Sequence, residues 1–192
     1  VFRISTFEFK TLLKNNVLQI CSTEKKMKEN KLKPVTIYTD GACIGNPGPG
    51  GYAAILISGD QRKEISGGLN NTTNNRMELL AAIKGLETLK ERSSVTLFSD
   101  SQYLVENMNA GWVKRWRARG WKRNKKDPAL NADLWKKLLE LCELHEVNFQ
   151  WTRGHVGTPE NERCDYLANQ AASRTDWPDD QITNIKSQFD LF

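Results

Sequence analysis

Residues 35–51, VTIYTDGACIGNPGPGG, constrain this chain more than any other stretch. Val35, Ile37 and Tyr38 have the β-branched and aromatic character of a strand. Asp40-Gly41 breaks the apolar run, and a glycine directly after an acid lets main chain approach whatever the acid holds. Asn46-Pro47-Gly48-Pro49-Gly50-Gly51 is predicted to extend neither helix nor ladder, so the chain turns there. It returns as a second strand at 52–58. An Asp-Gly after one strand reads by itself as an ordinary turn acid. Three more acids at comparable element ends, Glu78, Asp100 and Asp165, change that weighting.

Downstream the periodicities alternate. Residues 63–69 read as a third strand, and the turns at 46–51 and 58–61 are short enough for antiparallel pairing. In 70–76, NNTTNNR, the residues Thr72, Thr73 and Asn74 are candidate caps. Glu78 opens the helix that follows, with Leu79, Ala82, Ile83, Leu86 and Leu89 at helical spacing. A strand at 93–99 ends at Asp100, and a helix starts at Gln102. Strand, helix and strand across 35–100 require a right-handed crossover. With strands 35–40 and 95–99 as parallel neighbours, Asp40 and Asp100 emerge at the same end of the sheet, where ligands of open α/β sheets bind. A helix at 131–145 and a fifth strand at 147–152 lead into the loop RGHVGTP, which carries His155, one of only two histidines. The last helix, 160–172, holds Asp165 in its early part. A lone loop histidine is ordinarily just exposed; His155 gains weight because its loop leads towards Asp165.

With 192 residues, 39% of them hydrophobic and 27% charged, the chain fits one globular domain with tails. Residues 1–33 are expected to be an extension and linker, 34–176 the domain, and 177–192 a flexible tail. No long apolar run occurs near the start, which excludes a secretory core or a membrane span there. Met27 stands seven residues before Pro34, so residues 1–26 are expected to be dispensable; an amphipathic docking segment is the alternative. Cys21, Cys43, Cys142 and Cys164 form no CxxC pair and fit reduced thiols in a cytoplasmic protein, expected to be a monomer. The net charge of +5 suggests a polyanionic partner. Much of that charge lies in 111–126, GWVKRWRARGWKRNKK, where eight cations surround Trp112, Trp116 and Trp121 and no acid interrupts. One reading is a helix that docks its tryptophans in the core beneath a solvated basic face. The other is a surface that contacts phosphates and packs on sugars.

The blocks TDGACIGNPGPGGYAAIL, TTNNRMELLAAI, SDSQY, GWVKRWRARGWK and RGHVGTPENERCDYLA resemble type 1 ribonuclease H of the bacterial kind, in the family's order and over roughly residues 34–174. The resemblance implies an α/β ribonuclease H-like fold: a five-stranded mixed sheet flanked by helices, with a basic, tryptophan-rich protrusion. It implies an endoribonuclease that hydrolyses the RNA strand of RNA–DNA hybrids, leaves 5′-phosphate and 3′-hydroxyl ends, and removes primers and R-loops in replication and repair. Two Mg²⁺ ions are implied, with Mn²⁺ able to substitute. Asp40 would bridge both, Glu78 and Asp100 would hold the water-side ion, and Asp165 the other. His155 would serve proton transfer or product release. Hard carboxylate oxygens suit such ions.

For the substrate, the resemblance places Cys43, Asn46, Asn74, Asn75 and Gln102 at the hybrid's minor groove, where the 2′-hydroxyl marks RNA. Thr73 and Asn131 would grip a phosphate of the DNA strand. Trp112, Trp116 and Trp121, with Lys122 and Arg123, would form the binding protrusion. Asn71 departs from the arginine that family members often carry two positions before that threonine. A non-catalytic binding module on the same fold, or another nuclease of the superfamily, is the rival reading. The chain ends in QFDLF; Gln188, Asp190, Leu191 and Phe192 resemble the pentapeptide by which bacterial proteins bind the DNA polymerase sliding clamp.

Overall fold

Three consecutive strands form an antiparallel meander: β1 (Lys33–Cys43), β2 (Gly48–Ser58) and β3 (Gln61–Thr72). Helix α1 (Asn74–Glu87) crosses over to β4 (Ser93–Ser99), which pairs parallel with β1. Short helices α2 (Gln102–Asn109) and α3 (Trp112–Ala118) lead through the basic segment to α4 (Ala132–Leu144). The chain then enters β5 (Glu146–Trp151), parallel to β4, and closes with α5 (Pro159–Ala172). The resulting mixed sheet has the order β3-β2-β1-β4-β5. This computed structural model describes residues 32–154 and 157–181, and from Lys33 onward they form one compact unit. Residues 1–31 of the predicted extension, His155 and the residues of the terminal pentapeptide lie outside the described residues.

Alternation along the strands builds two apolar layers. Val35, Ile37, Ala54, Leu56, Val95, Leu97 and Phe149 pack with α1 to α4, where Leu79, Ile83, Leu86, Leu104, Trp135 and Leu138 are buried. On the other face Ala53 and Ile55, with Tyr38, Ala42 and Ile57 beside them, meet Cys164, Leu167 and Ala168 of α5. Helices on both faces fit β2, whose consecutive Ala53, Ala54, Ile55 and Leu56 are all buried.

Several boundaries differ from the sequence reading, each for a physical reason. β1 does not stop at Asp40. It leaves β4 after Thr39↔Ser99 but stays paired with β2 through Asp40↔Ala53 to Cys43↔Gly50. Gly48–Ser58 is all strand, so the predicted turn at 46–51 shrinks to the residues before Gly48. Pro49 falls at a register shift in the β2–β3 ladder, where a missing N–H is tolerated. The glycines there serve packing: a Cβ on Gly51 would overlap the Ala168 carbonyl of α5, and one on Gly50 would overlap Thr72 and Met77. α1 begins at Asn74, four residues before Glu78. Its cap comes from elsewhere, since the Thr73 side chain makes no capping bond and the Asn74 N–H donates to Asn46 Oδ1 at 3.2 Å.

Residues 177–180 are not a free tail. The Trp177 indole N–H donates to the Ala171 carbonyl at 2.8 Å. The Asn70 N–H donates to the Pro178 carbonyl at 2.9 Å, and the Asp180 N–H returns to the Asn70 carbonyl at 2.8 Å. This strap extends the folded unit to Asp180.

Candidate active site

Asp40 and Asp100 meet because their strands are parallel and in register up to the residue before each acid. Asp100 is further held by its neighbours. The Ser101 N–H donates to Ser99 Oγ at 3.1 Å, and Ser101 Oγ accepts the Leu104 N–H at 3.2 Å, capping α2. Glu78 arrives from the second turn of α1. Gly41 makes that approach possible, since a Cβ there would collide with the main chain of Met77 and Glu78. Carboxylate oxygens of Asp40, Glu78 and Asp100 lie within 4.8 Å of one another. Asp165, from α5, lines the same cleft of about 480 Å³. Its carboxylate accepts from Asn169 Nδ2 at 2.8 Å.

This charge cluster is strained electrostatically. Burial, followed by the Asp100 and Asp165 carboxylates, pushes the Asp40 carboxyl up to about 8 against a bond from the Gly41 N–H. Burial and then Asp40 and Asp100 push Glu78 well above its ordinary range. Glu78 Oε2 is buried without a hydrogen-bond partner. An orphaned carboxyl oxygen beside two further carboxyl groups is the donor set of a hard divalent cation, so the residues fit the implied metal.

The other predicted residues divide. Cys43, Asn74, Asn75 and Gln102 line the cleft, and Asn74 Nδ2 reaches Glu78 Oε1 at 3.5 Å. Asn46 and Thr73 stand at the start of α1 as described. Trp112 is exposed at the start of α3, with the Arg115 guanidinium 4.1 Å above its ring. Trp121 is half-buried against the core, and Lys122 and Arg123 are exposed. Two of the predicted substrate contacts are buried in this structure. Trp116 is 8% exposed and packs edge-on against Trp135 in the core. Asn131 is 7% exposed, and its amide is engaged at both ends, by Arg76 at 3.5 Å and by the Tyr103 hydroxyl at 3.2 Å. It braces the cleft wall.

Sequence reasoning missed Tyr103, which lines the cleft and accepts from Trp135 Nε1 at 3.2 Å. It also missed Trp151, whose indole N–H donates to the Asp100 carbonyl at 3.1 Å, and Asn169. Position at the end of β5 and one turn after Asp165 was the available signal.

A mixed α/β sheet that brings carboxylates together beside its adjacent parallel strands β1 and β4 defines an α/β protein with an all-carboxylate cluster able to hold a metal ion. The chain belongs to the ribonuclease H family, whose model (RNase H) it matches over residues 32–173. It is 64% identical over 144 residues to a ribonuclease H of Syntrophus aciditrophicus, covering 75% of this chain and 83% of that protein. Among solved structures it resembles LC9-RNase H1, a type 1 RNase H with the type 2 active-site motif, at a TM-score of 0.66 and 32% identity over 73% and 72% of the two chains. LC11-RNase H1, solved in complex with RNA/DNA hybrid, matches at a TM-score of 0.55 and 25% identity, over 72% of this chain and 96% of that one.

Proposed function

We infer that this chain is a metal-dependent endoribonuclease that hydrolyses the RNA strand of RNA–DNA hybrids. The observation that carries the reading is the Asp40–Glu78–Asp100 cluster, with its orphaned Glu78 oxygen, at the strand ends of a ribonuclease H fold. Asp40, Glu78 and Asp100 would hold divalent metal, read as Mg²⁺, with Asp165 completing the set. When bound, the metal supplies charge neutralisation, water activation and stabilisation of the departing 3′-oxygen. The protein's own part is orientation. Ser99, Ser101 and Trp151 fix the Asp100 backbone, Asn74 reaches Glu78, and Asn169 holds Asp165. Cleft-lining Asn75 and Gln102 offer donors and acceptors for 2′-hydroxyls and base edges of the hybrid's minor groove. The exposed cations around Trp112 and Trp121 offer contacts to phosphates.

The deciding experiment is a cleavage assay on a labelled hybrid, with DNA–DNA and RNA–RNA duplexes as controls. Mg²⁺-dependent cutting of the hybrid's RNA alone, abolished by chelation, is expected. Cleavage of all three duplexes, or activity that persists after chelation, sinks the reading. His155 is assigned to proton transfer or product release, so His155→Ala should retain measurable activity. The tail is proposed to bind the bacterial DNA polymerase sliding clamp, and its support is the resemblance of QFDLF. Titration of the clamp with the full chain and with a Leu191→Ala, Phe192→Ala variant tests it, and equal binding by both removes it.

A further inference from the structure

The Arg76 guanidinium is engaged at every N–H. Nε donates to Asp180 Oδ2 at 2.6 Å, and Nη2 donates to Asp180 Oδ1 at 2.9 Å and Asp133 Oδ2 at 2.8 Å. Nη1 donates to Asp133 Oδ1 at 3.0 Å and Asn131 Oδ1 at 3.5 Å. Five N–H groups thus meet five acceptors in a side chain that is 4% exposed. The Asp180 side chain is equally buried and also accepts from Thr72 Oγ1 at 2.6 Å.

The groups joined here belong to different parts of the molecule. Arg76 stands two residues before Glu78 on α1. Asn131 and Asp133 begin α4, directly after the basic segment, which is tied back to them through the Ala129 N–H to the Trp121 carbonyl at 2.8 Å. Asp180 is the last anchor of the strap. A planar fork gripping two carboxylates and an amide permits one arrangement of these parts, whereas a lysine ammonium would permit many. With the cation moved away, the buried Asp180 carboxylate would be left uncompensated, so the lock has no half-formed state of low energy.

We propose that Arg76, locked by Asp133 and Asp180, is a positioning residue that fixes the spacing between the carboxylate centre and the basic segment, and thereby which phosphodiester of a bound hybrid is cut. The strap residue Asp180 supplies half of that lock. This rests on the reading of the basic segment as a hybrid-binding surface.

The test uses the full chain and an end-labelled hybrid, under single-turnover conditions and at a temperature where near-ultraviolet circular dichroism shows each variant native. Asp180→Asn should spread the cuts over neighbouring phosphates and weaken hybrid binding about tenfold, with Mn²⁺ affinity by calorimetry within about twofold of the parent. Arg76→Lys, which keeps the charge and loses the fork, is the second variant and should do the same; it decides alone if Asp180→Asn does not hold its fold. Asp180→Glu, which restores the charge, should recover part of the parent pattern. A native variant with the parent's cut positions and hybrid affinity overturns the proposal. The Lys122→Ala, Arg123→Ala, Lys125→Ala, Lys126→Ala variant separates the two failures. Weakened binding by it alongside unchanged cutting by Asp180→Asn defeats only the lock, whereas unchanged binding by it defeats the basic-segment reading and the lock with it.

Discussion

Asp40 holds a carboxyl at about 8 where an exposed aspartate lies near 4, and burial is the first cause. Asp40→Asn removes a candidate metal ligand and a carboxyl whose ionisation burial and its acidic neighbours oppose. We expect cleavage to fall by several orders of magnitude while the metal-free fold becomes no less stable, read by hybrid hydrolysis and thermal melting side by side. Near-parental turnover would refute the assignment. His145 offers a pH test far from the chemistry. Its ring is buried, its Nδ1 accepts the Ser93 N–H at 3.3 Å, and burial lowers its pKa. A histidine whose folded pKa is depressed stabilises the fold above its unfolded value, near 6.5, and loses that contribution as pH falls through the folded value. His145→Gln should therefore flatten the acid-side decline of the melting temperature below about pH 6.5. An unchanged slope would assign the decline to other groups. Asp40 and Asp100 were legible because a parallel register can be inferred from strand, helix and strand. Trp116 was not, because spacing alone does not say which of two tryptophans four apart meets Trp135.

At the scale of elements, the glycines of β2 carry the clearest prediction. Gly51→Ala places a methyl group against the Ala168 carbonyl and the Ala172 N–H of α5. We expect a loss of about 1–3 kcal/mol or more in urea unfolding, with α5 and Asp165 displaced. A variant as stable as the parent would show that α5 can shift freely. The same glycines explain why this strand was misread: Pro-Gly-rich sequence signals a turn unless two helices press on the strand from either side, and that is a tertiary fact. The cap of α1 was hidden likewise, since its acceptor is Asn46, 28 residues away. β4, α2, α4, β5 and α5 were legible in the sequence, whereas α3 was only one of two readings of the basic segment.

At the scale of the whole molecule, the charge of +5 is gathered unevenly. Lys122, Arg123, Lys125 and Lys126 are all exposed. Replacing the four with alanine should weaken hybrid binding and lower the slope of log affinity against log salt by about 0.7–0.9 for each phosphate no longer neutralised. Equal slopes would return the segment to a solvated face. The Arg76 lock was beyond any reading of sequence, because it joins residues 76, 133 and 180, which no local pattern relates. The strap that completes it has a consequence for solubility. β3 is an outermost strand of the sheet, and such an edge invites pairing with a second chain. At its carboxyl end Asn70 already bridges to Asp179 in parallel, with both its N–H and its carbonyl engaged. A protein cut back before Trp177 would bare the N–H and carbonyl of Asn70, and we expect strand-to-strand association to start there.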